Sequence, residues 1–441
     1  MPRRVVITGM GWVTPLGCSL EGVWDALLSG TSAIGPVTRY DASTFATNFA
    51  AEVKGFNLAD HIDNPDLHAG AGLNAQFALA AANAAWKQAG LDRWPKFDGT
   101  RMGAYLGAGE GSLDFDNFVR ANLAGWNGTT IDDVAWAREA HACLSVRAEL
   151  EQEPNIPLAH LAARFNCSGP AFNCMTACAA STQAVGEAFE IIRRGDADLM
   201  FAGGSHSMIH PLGMTGFIRL TAMSTRRDQP TMAARPFDAT RDGFVMGEGA
   251  GILILEDEHH ALARGAKPLA EVAGYGSSAD AFRITDIQPE GRGAQLAMTQ
   301  ACRQAGIDPR TPGPDGRPPI HYISAHGTGT KENDRIETAA VKGVFGPLAP
   351  RVPFSSVKSM LGHLIQAAGA VELMTCVMAI RSGMVPPTMN LRTLDRECDL
   401  DYVPNAARDL AGAGGVSACL SNSFGFGGQN DTLCVRAYRP A

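Results

Sequence analysis

Cys178–Gly195 reads CAASTQAVGEAFEIIRRG, and Gln366–Gly383 reads QAAGAVELMTCVMAIRSG. The two stretches lie over each other without a gap, with identities at Ala179/Ala367, Ala180/Ala368, Ile192/Ile380, Arg193/Arg381 and Gly195/Gly383. Ala-rich helices also match this well by chance, so duplication and coincidence both stay open on this alignment alone. A duplication would divide the chain near residue 257, with the charged segment Asp257–Arg264 joining a half 1–256 to a half 257–441. Outward from the two stretches, short apolar runs alternate with helical patterns. Val5–Thr8, Gly103–Gly107, Asp198–Ala202, Gly251–Leu255, Ile320–Ala325 and Val416–Leu420 read as buried strands, and Glu21–Ser29 and Leu73–Ala89 as helices. That alternation predicts an α/β fold with buried sheets. The polar stretch 112–157 reads as an insertion carrying short helices, a surface or subunit-contact excursion.

Composition narrows the function. The chain has 441 residues, enough for two fused domains or one large α/β unit, with 45% apolar and 19% charged residues. Net charge is −8, and there is no basic tail or basic amphipathic stretch, which argues against nucleic-acid and membrane-surface partners. No window is apolar enough to span a membrane. The N-terminal apolar run is too short for a secretion signal and reads as a first strand. Ten scattered cysteines follow neither a disulfide framework nor a zinc pattern, so no metal is expected and the thiols read as reduced and cytoplasmic.

Four motifs carry chemistry. In Asn173–Ser181 an apolar approach ends at Cys178, where the Ala-rich helical stretch begins. A thiol there feels the positive end of a helix dipole, which predicts a lowered pKa and a thiolate. Ser324–Thr330 (SAHGTGT) puts His326 at a strand end, beside Gly327 and Gly329 and the hydroxyls of Thr328 and Thr330. Ser355–His363 (SSVKSMLGH) leads into a predicted helix over Leu364–Ile380. His363 at that helix start is expected to be neutral and to donate through its N–H, and Lys358 and Glu372 can pair behind it. Ser421–Asn430 (SNSFGFGGQN) alternates Phe424 and Phe426 with glycines whose amides can serve an oxyanion hole. Each motif alone also fits an ordinary buried Cys, a loop His or a glycine-rich hairpin. Together, one Cys and two His form a nucleophile with two donors, and no acidic partner follows either His as in a protease triad. Two neutral donors suit an enolate oxygen, which the decarboxylation of a malonyl thioester develops.

These residues resemble those of the elongating β-ketoacyl-[acyl carrier protein] synthases of fatty-acid type II and related polyketide systems. The resemblance runs from Val5 to Asn430 and includes Thr176-Ala177-Cys178, His326–Thr330, Lys358–His363, Asn422–Gly428 and Asp238–Gly251. It implies the thiolase fold, two pseudo-symmetric halves in five αβαβα layers, usually as a homodimer. It implies that Cys178 takes an acyl chain from an acyl carrier protein, and that His326 and His363 hold malonyl-carrier protein while CO2 leaves. The amides of Cys178 and Phe426 would then hold the tetrahedral oxyanion. Lys358 and Glu372 match the supporting pair, Thr328 and Thr330 the positions that hold the phosphopantetheine arm, and Phe424 and Phe426 the gate. Phosphopantetheine arrives on the carrier substrate, so no cofactor of the enzyme's own is implied.

Three departures point to a specialised pathway. Glu110 stands where these synthases carry a bulky apolar residue at the acyl pocket, and an acid facing an alkyl chain is costly unless paired or exposed. Asp60–Leu73 lacks the basic cluster that meets an acidic carrier, leaving Arg219, Arg226 and Arg227 for that contact. The excursion 112–157 is long, and Gln429 replaces a small residue. Other readings are a polyketide-type ketosynthase or a non-catalytic chain-length partner subunit. The second is opposed by the presence of Cys178. A thiolase would carry a second Cys where the Phe–Gly loop stands, and a His/Asn starter synthase would lack the Lys358–His363 motif.

Overall fold

The computed structural model describes residues 2–94, 97–109, 114–284 and 286–440. Ten strands form one mixed sheet: β1 (Val5–Val13), β2 (Met102–Ala108), β3 (Ala171–Cys174), β4 (Leu199–His206), β5 (Gly249–Asp257), β6 (Ala270–Ala279), β7 (Tyr322–Ser324), β8 (Phe354–Ser355), β9 (Ala418–Gly425) and β10 (Gln429–Arg436). Their order is β8-β7-β9-β10-β6-β1-β5-β4-β2-β3. Read outward from the centre, β1-β5-β4-β2-β3 and β6-β10-β9-β7-β8 follow one pattern. In each half the first strand pairs antiparallel with the last, the last pairs antiparallel with the last but one, and the two edge pairings are parallel. The two halves meet where β1 pairs antiparallel with β6, Val5 opposite Val272. All six apolar runs expected as strands are strands. Most are buried on both faces, so they read as continuous apolar stretches rather than alternating ones.

Four helices matter for the site. α1 (Leu73–Gln88) covers β1 and β5 on one outer side. α2 (Ala180–Arg194) and α4 (Ala368–Ser382) pack on each other and on strands of both halves, forming the central layer. α3 (Lys331–Phe345) follows the His326 loop. α4 is buried on nearly every side, which explains its uniformly apolar sequence, with Glu372 the one acid inside it. The crossing of α2 and α4 is close: a Cβ on Gly369 would lie 1.9 Å from Thr182 Oγ1, so only glycine fits there.

Cys178–Gly195 and Gln366–Gly383 adopt the same local form. Each is preceded by a residue at positive φ, Ala177 (48°) or Ile365 (43°), which opens a 3-10 turn that runs into a fifteen-residue helix. Each ends on a left-handed glycine, Gly195 or Gly383. The helix expected over Leu364–Ile380 therefore starts later, at Ala368. His363 is not at a helix start but ahead of the 3-10 turn, and Gln366 is the residue that corresponds to Cys178. The excursion carries helices at Phe115–Gly125, Asp133–Cys143 and Val146–Leu150, as its sequence predicts. Among the described residues, no helix is long and apolar enough to cross a membrane.

Candidate active site

Cys178, His326 and His363 come from three separate turns and meet in the interior. Cys178 is on the 3-10 turn before α2, His326 follows β7, and His363 sits between the short helix Lys358–Leu361 and the turn before α4. All three are buried, and the Cys178 sulfur and one ring nitrogen of each histidine lie within 4.8 Å of one another. The two imidazoles stand edge to face with centroids 5.5 Å apart.

Hydrogen bonds fix what each ring can do. The backbone N–H of Ile365 donates to Nδ1 of His363 at 3.2 Å, so the proton of a neutral ring is on Nε2. That Nε2 is buried without a protein partner among the described residues, as is Nδ1 of His326. A thiol and two imidazoles are also a donor set for a soft metal. Metal binding through Nε2 of His363, however, would need the lone pair where this tautomer carries hydrogen. The ring is built to donate.

Burial pushes both histidines well below the ordinary imidazole value, and the Lys358 cation adds to the effect, so both are neutral. The thiolate expected at Cys178 is not borne out. Burial pushes its thiol up to about 12, while Lys358 and the backbone N–H groups of Cys178 and Phe426 pull the other way. The helix dipole loses to desolvation because Cys178 is buried in an apolar cluster that includes Ile209, Met246 and Ile365. The same two N–H groups nevertheless mark an oxyanion position at the sulfur. Cys174, the last residue of β3, donates its thiol to the Ala180 carbonyl at 3.2 Å and is not part of the cluster.

Lys358 and Glu372 are paired and buried, and Lys358 Nζ also donates to the His326 carbonyl at 2.6 Å. Burial pushes the Glu372 carboxyl up to about 7, with Lys358 pulling it back. Thr328 and Thr330 share a hydroxyl hydrogen bond of 2.9 Å. Both line a cavity of about 50 Å³ with Cys178, His326, His363 and Phe426. An open groove of about 790 Å³ leads in from the surface, and Ile287, Thr330, Asn333 and Phe426 line both. The two phenylalanines differ. Phe424 is buried against His326 at a centroid distance of 5.8 Å, whereas Phe426 is 38% exposed where groove meets cavity. Glu110 lies outside the described residues.

Sequence reasoning missed Glu337 and Asp334 of α3. Glu337 accepts the N–H groups of His326 (2.9 Å) and Gly327 (2.8 Å) and the Asn422 amide (3.2 Å). Asp334 accepts the N–H groups of Phe237 and Gly329 and faces Arg241. The signal was the i, i+3 spacing of these acids on the helix directly after the His326 loop.

A buried thiol facing two neutral imidazoles, on a sheet built of two like halves, fits a carbon–carbon condensing acyltransferase of the thiolase fold. Comparison with known proteins gives the family. The chain matches the N-terminal domain of beta-ketoacyl synthases over residues 2–261 and their C-terminal domain over 269–392. A 3-oxoacyl-[acyl-carrier-protein] synthase 2 of Synechocystis is 40% identical over 437 residues, covering 99% of both chains. One from Coxiella burnetii is 38% identical over 441 residues, covering 98% of both. Among solved structures, a type II polyketide ketosynthase in complex with its acyl carrier protein superposes with a TM-score of 0.85 at 32% identity over the full length of both chains. A beta-ketoacyl synthase from Burkholderia phymatum gives the same TM-score and identity over 99% of this chain and all of that one. The chain belongs to the β-ketoacyl synthase family.

Proposed function

We propose that the chain condenses an acyl thioester, held on Cys178, with malonyl-[acyl carrier protein], releasing CO2 and giving a β-ketoacyl-[acyl carrier protein]. The carrying observation is the meeting of Cys178, His326 and His363 within 4.8 Å. In the first half-reaction the Cys178 sulfur attacks the acyl thioester and its proton passes to the departing pantetheine sulfur. In the second, the bond from malonyl carbon to carboxylate breaks. The electron pair moves onto the thioester oxygen, where Nε2–H of His363 and a ring N–H of His326 meet it. The enolate carbon then attacks the Cys178 thioester, and the amides of Cys178 and Phe426 hold the tetrahedral oxygen until the carbon–sulfur bond breaks. Lys358, paired with Glu372, holds the His326 backbone, and its charge helps burial keep both rings neutral. Thr328 and Thr330 receive the pantetheine arm and Phe426 gates its entry. No cofactor of the enzyme's own enters these steps.

The partners follow from the surface. Arg219 and Arg227 are exposed, Arg219 directly before Leu220–Ala222 of the groove lining, and among the described residues Arg226 and Arg227 bond Gln229 and the Ser43 carbonyl rather than acids. They are the contact proposed for an acidic carrier protein. The sheet ends on β3, whose edge is open and carries Phe172 at 49% exposure, with Met175 just beyond it at 56%. An open apolar edge beside the excursion supports a homodimer joined there. The division into halves 1–256 and 257–441, with 112–157 as an insertion, is supported by the shared strand order.

The test is intact-protein mass after incubation with acyl-carrier proteins, followed by malonyl-carrier protein. One acyl group gained, absent in Cys178→Ala and discharged as a β-ketoacyl product, is the expected result. Acylation that persists in Cys178→Ala would overturn the assignment.

A further inference from the structure

Behind the Cys178 turn lie two buried polar side chains that the condensation does not use. Gln366 stands in the second half where Cys178 stands in the first, on a 3-10 turn packed directly against the Cys178 turn. Its neighbour Ile365 lines the cavity at the sulfur. Its Nε2 fills the space a Cβ on Gly109 would occupy, 2.2 Å from that position, at the end of β2. A Cβ on Gly204 of β4 would meet the Gln366 backbone oxygen at 2.6 Å, so that face of β4 looks onto Gln366. His206 shares the face, two residues on, and its side chain interacts with that of Gln366. His206 is also near enough to His363 to oppose its protonation.

Each side chain nevertheless keeps a polar atom without a partner. Gln366 Oε1 and His206 Nε2 have no hydrogen-bond partner among the described residues, although Gln366 is 6% exposed and His206 2%. An alkyl chain laid against them would leave both atoms unpaired. A hydroxyl can both donate and accept, and so answers an amide oxygen and a ring nitrogen at once.

We propose that Gln366 and His206 form a specificity subsite, and that the acyl chain carried on Cys178 bears a hydroxyl or enol oxygen which hydrogen-bonds to them. This inference rests on Cys178 as the acyl acceptor and adds the substrate class. Rejection of the plain alkyl chain follows from the pair it would bury unpaired, an effect far larger than adding a methylene would give.

The test compares octanoyl-pantetheine with its 3-, 5- and 7-hydroxy isomers, reading initial rates of Cys178 acylation by intact mass. At least one hydroxylated chain is expected to acylate about tenfold faster than octanoyl, equivalent to about 1.4 kcal/mol. In Gln366→Leu and, separately, in His206→Phe, that preference falls to about one or below while octanoyl still reacts. Octanoyl matching or beating all three isomers in the native enzyme overturns the subsite, as does a preference that survives in both variants. If no chain acylates Cys178, octanoyl included, the acyl-acceptor assignment fails and the subsite with it.

Discussion

Lys358 is bonded to the backbone of the histidine it serves: its Nζ lies 2.6 Å from the His326 carbonyl oxygen, and its other partner is the carboxylate of Glu372. One cation thus fixes the loop behind His326 and neutralises the one acid in the central helix. In Lys358→Met the acid is left buried and alone. The loss is about 3–5 kcal/mol of stability at pH 8, the range for a broken buried pair. The orphaned carboxyl takes up a proton as pH falls, and its folded-state pKa is raised, so the deficit shrinks toward pH 5.5. Guanidinium unfolding of the native protein and the variant at both pH values measures it. An equal deficit at the two would show that the cation's role is packing alone.

The donor role of His363 separates from any role as a base. His363→Ala removes one N–H from the enolate site and is expected to slow malonyl decarboxylation by about 10²–10³-fold. His363→Asn keeps an N–H and should retain more of the rate than Ala. Because burial and Lys358 hold both imidazoles well below their usual value, the decarboxylation rate stays flat from pH 8 down to pH 6. Release of radiolabelled CO2 from malonyl-carrier protein reads both effects. A rate that drops through pH 6.5 would mean that a ring titrates.

How much of this was legible depended on what each residue answers to. The strands were readable because β1, β4 and β5 are buried on every residue, which leaves an unbroken apolar run. Cys178, His326, His363 and Lys358 were readable because small residues and glycines crowd around them. The start of α4 was misplaced because Ile365 takes φ 43°, a conformation that a β-branched residue adopts only when its surroundings impose it. Glu337 was hidden because it serves backbone N–H groups, which leave no side-chain partner to find. The Cys178 pKa was misjudged because a dipole can be read from the start of a helix, whereas the depth of burial cannot.

Asp431 of β10 is 2% exposed, accepts the Tyr275 hydroxyl at 2.7 Å and has no cation in an ion pair with it among the described residues. Burial pushes its carboxyl from 3.8 up to about 6, with the bonds to Tyr275 and Ser277 opposing and Glu187 adding. A raised folded-state value means that the neutral form stabilises the fold. That contribution is complete below 3.8 and lost as pH rises through 6. Asp431→Asn is therefore expected to add about 1–3 kcal/mol at pH 7.5 and to add little at pH 4.5. Paired denaturant curves at the two pH values check this, and a gain that is equal at both would place its origin elsewhere.

The free Cys178 thiol yields the last prediction. With its value pushed up to about 12, the fraction present as thiolate rises about tenfold per pH unit across the whole accessible range. Alkylation by iodoacetamide, followed by intact mass with Cys178→Ala as the blank, should climb steadily from pH 7 to pH 9.5 without a plateau. A thiolate held by the α2 dipole would instead react at a rate already level near neutrality. Lys358→Met discriminates further. Lys358 favours the thiolate whereas Glu372 opposes it. Removing the cation should slow alkylation at every pH without bringing in a plateau. A plateau near pH 7 in the native enzyme would show that the amides of Cys178 and Phe426 outweigh burial at the sulfur. The first half-reaction would then start from a preformed thiolate rather than a thiol.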